Sequence, residues 1–270
     1  MVRRQQNFFP KMLKERIKKI YFYRHTLWDM VLKQLKAKYA SYLLGIIWAL
    51  INPLLLALII AFIFTEIIKV NIRHFYLFII SGMFPWLFFS NSLQEATKSI
   101  VSNASLLKQF SFPREFIPLS SVLTNFFNLL LGFLIVIPFF MISNLKLIFT
   151  LPFLVLVLLL HLVFTVGIAL ILSSLYVRFR DIDQFFGVLL LFWLWLTPVF
   201  YTLDMVPDKY RILFRLNPLT AYITLYRGIL FDASLFNLRL IFWAFFLAVI
   251  SLCLGYAVFV KKESSFLKWI

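Results

Sequence analysis

Residues 147–177 read LIFTLPFLVLVLLLHLVFTVGIALILSSLYV, without one aspartate, glutamate, lysine or arginine. A helix needs about 20 predominantly apolar residues to cross the hydrocarbon core of a bilayer. This stretch exceeds that, so it spans with tilt or projects beyond one face. Five further runs of the same kind lie around it, at 43–64, 75–92, 117–142, 185–203 and 240–260. Pro85 interrupts the second of the six in chain order and Pro198 the fifth. The whole chain agrees: 63% of its 270 residues are hydrophobic and 14% are charged, against about 25% charged in an ordinary soluble domain. A soluble fold of this size cannot hide that much apolar surface in one core. The reading is an all-α polytopic membrane protein with six transmembrane helices. Residues 1–42 form a basic segment and an interfacial helix, 43–260 the transmembrane domain, and 261–270 a tail.

The net charge of +16 is placed for a membrane and not for nucleic acid. Arg3, Arg4, Lys11, Lys14, Arg16, Lys18, Lys19, Arg24, Lys33, Lys36 and Lys38 all precede the first apolar run. Positive charge collects on the cytoplasmic side, facing anionic lipid. Six spans then put both termini in the cytoplasm, at a cytoplasmic (inner) membrane. Lys98, Lys108, Arg114, Arg178, Arg180, Lys261, Lys262 and Lys268 join the inner side. The outer loop at 204–239 carries five basic residues and weakens this asymmetry without reversing it. Residues 26–42 read as a helix lying in the inner interface, with Thr26 and Asp29 as a capping pair and an apolar stripe at Leu27, Val31, Leu35 and Tyr39. The chain turns at Gly45 into the first span. A cytosolic helix packed on another protein is the alternative.

Chemistry of its own is missing from the sequence. No glycine is followed by lysine, so there is no phosphate-binding loop. His25, His74 and His161 are dispersed and lack acidic partners, so no metal site is expected. Cys253 lies in an apolar run and reads as a small buried hydrophobe. His161 and Glu66 are the ionisable groups in or near spans, and such residues are functional candidates by default. A neutral histidine bonded to a neighbouring helix is the plainer reading of His161. Ion-coupled transport needs charges near the midplane. With none there, uphill transport requires an energy source on a partner.

Six motifs in order resemble the membrane subunit of type-2 ABC exporters for O-antigen, capsule and teichoic acid. They are KYASYLLGIIWALINPLL at 38–55, SGMFPWLFFSNSL at 81–93, NASLLKQFSFPREFIPL at 103–119, VRFRDI at 177–182, WLTPVFY at 195–201 and RLNPLTAYITLYRGIL at 215–230. The resemblance implies a homodimer with a channel at its interface, joined to two copies of a cognate ATP-binding subunit that holds the ATP and magnesium. No cofactor is expected in this chain. The implied cargo is a polyprenyl-linked glycan. A drug or small-lipid exporter of the same fold is the nearest alternative, and a membrane glycosyltransferase a more distant one.

The resemblance also assigns roles. Asn103, Leu106, Leu107, Lys108, Phe112, Pro113, Arg114 and Glu115 fall in the coupling segment that docks on the ATPase, and this segment, with Phe110, also reads as a short amphipathic stretch suited to a partner's groove. Arg178, Arg180 and Asp181, with Asp183 beside them, form a cytoplasmic gate if they pair across the turn. Plain positive-inside anchoring is the rival. Arg24, Lys36 and Lys38 are placed to receive the pyrophosphate of a carrier lipid. Trp48, Trp86, Phe88, Phe89, Trp193, Trp195 and Tyr201 are the rings that would line a channel, since sugar C–H faces pack on aromatic rings. Interfacial belts or core packing explain such rings equally. Asn217-Pro218 opens a helix over 219–230, too short to span, which re-enters or lies outside as an exit lid.

Overall fold

The computed structural model describes residues 18–39, 46–234 and 237–269, with 46–50 as backbone only. The basic residues before position 18, the turn at Gly45 and the side chain of Trp48 lie outside the described residues. The helices are α1 (Arg24–Tyr39), α2 (Ile46–Phe62), α3 (Phe75–Ser102), α4 (Ala104–Gln109), α5 (Phe116–Ser143), α6 (Leu147–Tyr176), α7 (Ile182–Trp195), α8 (Asp208–Leu216), α9 (Pro218–Leu230), α10 (Leu238–Glu263) and α11 (Phe266–Trp269). Among the described residues there is no strand. Four helices, α3, α5, α6 and α10, are long and apolar enough to cross a membrane. The apolar helices at Ile51–Ile67 and Ile182–Trp195 are shorter. A multi-pass, all-helical membrane protein follows, since helices satisfy their own backbone groups in lipid.

Apolar run length and helix length part company at three places. Helix α3 continues from the predicted 75–92 to Ser102, because nothing between Asn91 and Ser102 breaks a helix once it leaves hydrocarbon. Helix α7 stops at Trp195 and not at 203. The chain turns ahead of Pro198, whose carbonyl is claimed by another part of the fold. At the other end, α1 starts before Thr26. The Thr26 amide already donates to the Tyr23 carbonyl (2.9 Å), so Thr26 sits inside helix and does not cap it.

Helix α3 is the central pillar, with 83% of its apolar window buried; it packs on α2, α5, α6, α7 and α9. The most extensive pairing is α6 with α10. A β-carbon on Gly167 would overlap Ser251, and one on Gly255 would overlap the Gly167 backbone. Small residues let membrane helices approach this closely, and van der Waals packing drives the association there. Ser251 adds a hydrogen bond to the Phe164 carbonyl (2.7 Å).

His161 lies at the centre of an aromatic core. It is fully buried, stacked on Tyr222 at 4.8 Å and edge-on to Phe88 at 5.1 Å. Its Nδ1 is 3.4 Å from the Tyr226 hydroxyl on α9. The short helix α9 opens on Asn217, whose side chain accepts from the Leu219 amide. It packs inside the bundle: Leu219 to Ile223, Leu225 to Arg227, Ile229 and Leu230 are all buried. A helix so thoroughly packed against α3, α6 and α10 is part of the core and not a lifting lid. The exposed short helix is α8, with Ile212, Leu213 and Leu216 uncovered.

Candidate functional site

Helix α1 lies across α5, and the contact is mostly polar. Gln34 donates to Ser120 Oγ (3.0 Å) and accepts from Thr124 (3.1 Å). Tyr39 donates to Asn128. Lys38 reaches furthest: its Nζ donates to Glu95 Oε1 on α3 (2.9 Å) and to Asn125 Oδ1 on α5 (3.1 Å). Asn125 closes the triangle by donating to Glu95 Oε2 (2.6 Å). The expected apolar stripe contributes one buried residue, Val31. Its packed face mixes Val31 with Gln34, Lys38 and Tyr39, so the helix is not cleanly amphipathic.

Beneath this lattice a cavity of about 320 Å³ opens between α2, α3 and α5. Asn52, Asn91, Asn125 and Asn128 give it an amide lining beside Lys38. Pro53, Leu56, Phe84, Leu87 and Leu129 make its apolar walls. Helical spacing builds the site: Asn91 and Glu95 are four residues apart on α3, and Asn125 and Asn128 three apart on α5, so each pair shares a face. An amide facing hydrocarbon without a partner costs several kcal/mol. Polar groups set between apolar helices therefore belong to the interior or to a wet cavity. Glu95 balances the charge of Lys38, and Glu95 and Asn125 together take two of its three N–H donors. Arg24 instead donates to the Tyr21 carbonyl (3.1 Å) and lies over that ring, and Lys36 is exposed. Arg24, Lys36 and Lys38 do not converge on one anion site.

The coupling segment, the end of α6 and the chain after α10 meet at one end of the bundle. Leu107 is buried with Ile100, Ile117, Val177, Phe259 and Phe266, and Phe112 packs against this cluster. Arg114 Nη1 donates to the Glu263 carbonyl (2.7 Å). Asn103 is committed to the Ser99 carbonyl (2.8 Å). Leu106 and Pro113 are half-buried and Glu115 is buried. What faces outward is Lys108 and Phe110, the latter 60% exposed. The outward apolar anchor is thus Phe110, while Leu107 and Phe112 hold the segment to its own chain.

The turn between α6 and α7 pairs differently from expectation. Asp183 bonds Lys98 on α3 (2.9 Å). Arg178 lies over the rings of Phe179 and Trp269, and Arg180 over Tyr176. Among the described residues, neither arginine pairs with Asp181, which is exposed. Adjacent side chains on a turn diverge, and α3 brings a cation within closer reach.

A family profile described as "ABC-2 type transporter" matches residues 25–231. The chain belongs to the ABC-2 type transporter family. It is 33% identical over 240 residues to two proteins named O-antigen export system permease protein RfbA from Klebsiella pneumoniae, covering 87% of this chain and 90% of each. A protein of the same name from Myxococcus xanthus is 29% identical over 252 residues, covering 93% of this chain and 97% of the relative.

This ABC-2 chain is a transporter subunit, and its rings divide by burial. Trp86, Phe88 and Phe89 are inside a single chain, with Phe89 stacked on Phe164 and edge-on to Trp193. Trp86 and Phe89 pack in the core of the chain, while Phe88, itself buried, also lines the cavity between α2, α3 and α5. Trp193 donates to Asn217 (2.8 Å), fastening α7 to the start of α9. Tyr201 donates to the Trp195 carbonyl. Trp195, 60% exposed, is the one described ring of the set turned outward.

Two features of the ABC-2 chain went unread in the sequence. The asparagines of the cavity were legible, as amides inside otherwise apolar runs. Arg227 was not. It is buried in α9, donating to the carbonyls of Pro198 (2.9 Å) and Val199 (3.0 Å), with its guanidinium 3.6 Å from the Phe78 ring centroid. It satisfies two main-chain carbonyls in the irregular stretch just beyond α7.

Proposed function

We propose that this chain is the membrane-spanning subunit of an ATP-driven exporter that carries a polyprenyl-linked polysaccharide, of O-antigen type, across the cytoplasmic membrane. One observation carries the reading: amides gather in a cavity between the apolar helices α2, α3 and α5, in a chain that resembles O-antigen export permeases over nearly its whole length. A glycan cannot cross hydrocarbon alone, because each unsatisfied hydroxyl costs several kcal/mol there. It needs a wet, amide-bearing path, and a drug or small lipid does not. In this reading α2 and α7 complete six spans, both termini are cytoplasmic, and two copies of the chain enclose the path. Two ATP-binding subunits bind below, with Phe110 and Lys108 on the docking surface. Exposed Arg24 and Lys36 face anionic lipid.

The test is reconstitution. Vesicles holding the chain and its ATP-binding subunit should move lipid-linked glycan only with ATP, and the chain alone should hydrolyse none. Cells lacking the chain should accumulate lipid-linked glycan on the cytoplasmic face. Normal glycan export, with loss of drug or lipid efflux, would overturn the reading.

A further inference from the structure

We propose that the cavity under α1 is a sugar subsite that holds one uncharged, hydroxyl-rich ring of the passing glycan and rejects acidic sugars. This deepens the exporter reading and rests on it. The first support is the lining. Asn52, Asn91, Asn125 and Asn128 converge there; Asn125 is held by Lys38, Glu95 and the Ser121 carbonyl, which leaves the amides of Asn52, Asn91 and Asn128 to donate and accept. A sugar hydroxyl also does both, so neighbouring hydroxyls of one ring pair with amides and leave no group of either kind unmatched. Lysine and arginine only donate, and carboxylates only accept.

The second support is charge. The one cation lining the cavity, Lys38, is bonded to Glu95 at 2.9 Å and to Asn125 at 3.1 Å. A uronic acid or phosphate would find this cation already paired with the Glu95 carboxylate, which is held 2.9 Å from the Lys38 ammonium and would oppose a second anion there. Placing like charges together is a strong means of rejection. The third is shape. About 320 Å³ is at the low end of small-molecule pockets, about 300–1,000 Å³, which suits a single ring and not several at once. Phe84, Leu87 and Leu129 offer apolar walls to its C–H faces. A site with no net charge also binds weakly enough to release each ring to the next, as conduction requires.

The experiment uses the complex of this chain with its ATP-binding subunit in nanodiscs. Cys253 is the sole cysteine, so Asn91→Cys in a Cys253→Ser background places one thiol in the cavity. Two probes are compared, a hexose polymer and a hexuronic acid polymer on the same polyprenyl pyrophosphate. The neutral polymer should slow thiol labelling about tenfold, the loss expected for one or two buried hydrogen bonds, and the acidic one should leave it unchanged. Equal protection by both, protection by neither, or a thiol that never labels would overturn the subsite. In transport, Asn91→Leu and Asn128→Leu should each slow the neutral polymer about tenfold with the ATP-binding subunit still bound. Wild-type rates would overturn the proposal. If the unmodified complex moves neither polymer, the exporter reading falls too. If it moves both equally, and the variants do the same, that reading stands and the subsite alone is lost.

Discussion

The Arg114 guanidinium donates a 2.7 Å hydrogen bond to the main-chain carbonyl of Glu263. The first residue closes the segment after α4; the second ends α10. A movement imposed on the coupling segment is thus passed to α10, and through the α6–α10 crossing to the body of the bundle. Arg114→Ala should leave ATP hydrolysis and subunit assembly intact but lower glycan moved per ATP about tenfold, in line with a hydrogen bond from a charged donor. Paired transport and hydrolysis assays in one vesicle preparation measure this ratio.

Phe110 and Phe112 should separate docking from folding. Phe110→Asp changes an exposed ring and should abolish capture of the ATP-binding subunit with no shift in the melting temperature of the isolated chain. Phe112→Asp puts a charge against the cluster of Leu107, Phe259 and Phe266, so both capture and melting temperature should fall. Copurification and a thermal scan in detergent distinguish them. A normal complex from Phe110→Asp would remove this face from the docking surface.

Lys98 and Asp183 join α3 to α7 beside the turn that follows α6. The pair is solvent-facing, so its loss should hardly alter stability. It should alter the position of α7, which has few other neighbours. Asp183→Asn is expected to slow export several-fold, and the exchange Lys98→Asp with Asp183→Lys to restore most of it. Asp181→Ala, at an exposed residue, should be near wild type. Export rates at matched protein levels decide among these.

Arg227→Met should destabilise the packing of α9 against the chain that follows α7. It strands two carbonyls, at about 1–3 kcal/mol each. Arg227→Lys keeps a cation but loses the planar fork that reaches both Pro198 and Val199, so it should fall between. The thermal midpoint of the purified chain gives the order, and a midpoint for Arg227→Met equal to wild type would refute the role.

Much of the fold was legible because lipid imposes a minimum length on apolar runs. Residues 117–142 and 147–177 reappear as α5 and α6 almost unchanged. What the sequence concealed depended on distant partners. Arg227 read as one more loop charge, because its acceptors lie at the broken end of α7 and its ring on α3. Asp183 read as a partner for the adjacent arginines, since only the fold brings Lys98 to it. The rings were ambiguous for the opposite reason: Trp86 and Phe89, packed in the core, and Phe88, lining the cavity, carry no mark in the sequence that separates them. The four cavity asparagines did carry a mark, the cost of an amide in hydrocarbon, and that cost applies to uncharged groups as well as to ions.

The α6–α10 crossing sets the order in which the protein can be finished. A ribosome delivers α6 first, then α7, α8 and α9, and only afterwards α10. For that interval the bare backbone at Gly167 faces lipid, with Ser251 and Gly255 still unmade. Chain elongation at about 5–20 residues per second makes the wait several seconds. During it the insertion machinery holds a helix whose best neighbour does not yet exist. Arrival of α10 marks the moment at which a nascent chain becomes distinguishable from a damaged one, and a membrane protease that samples unpaired small-residue faces would find its substrate only before then.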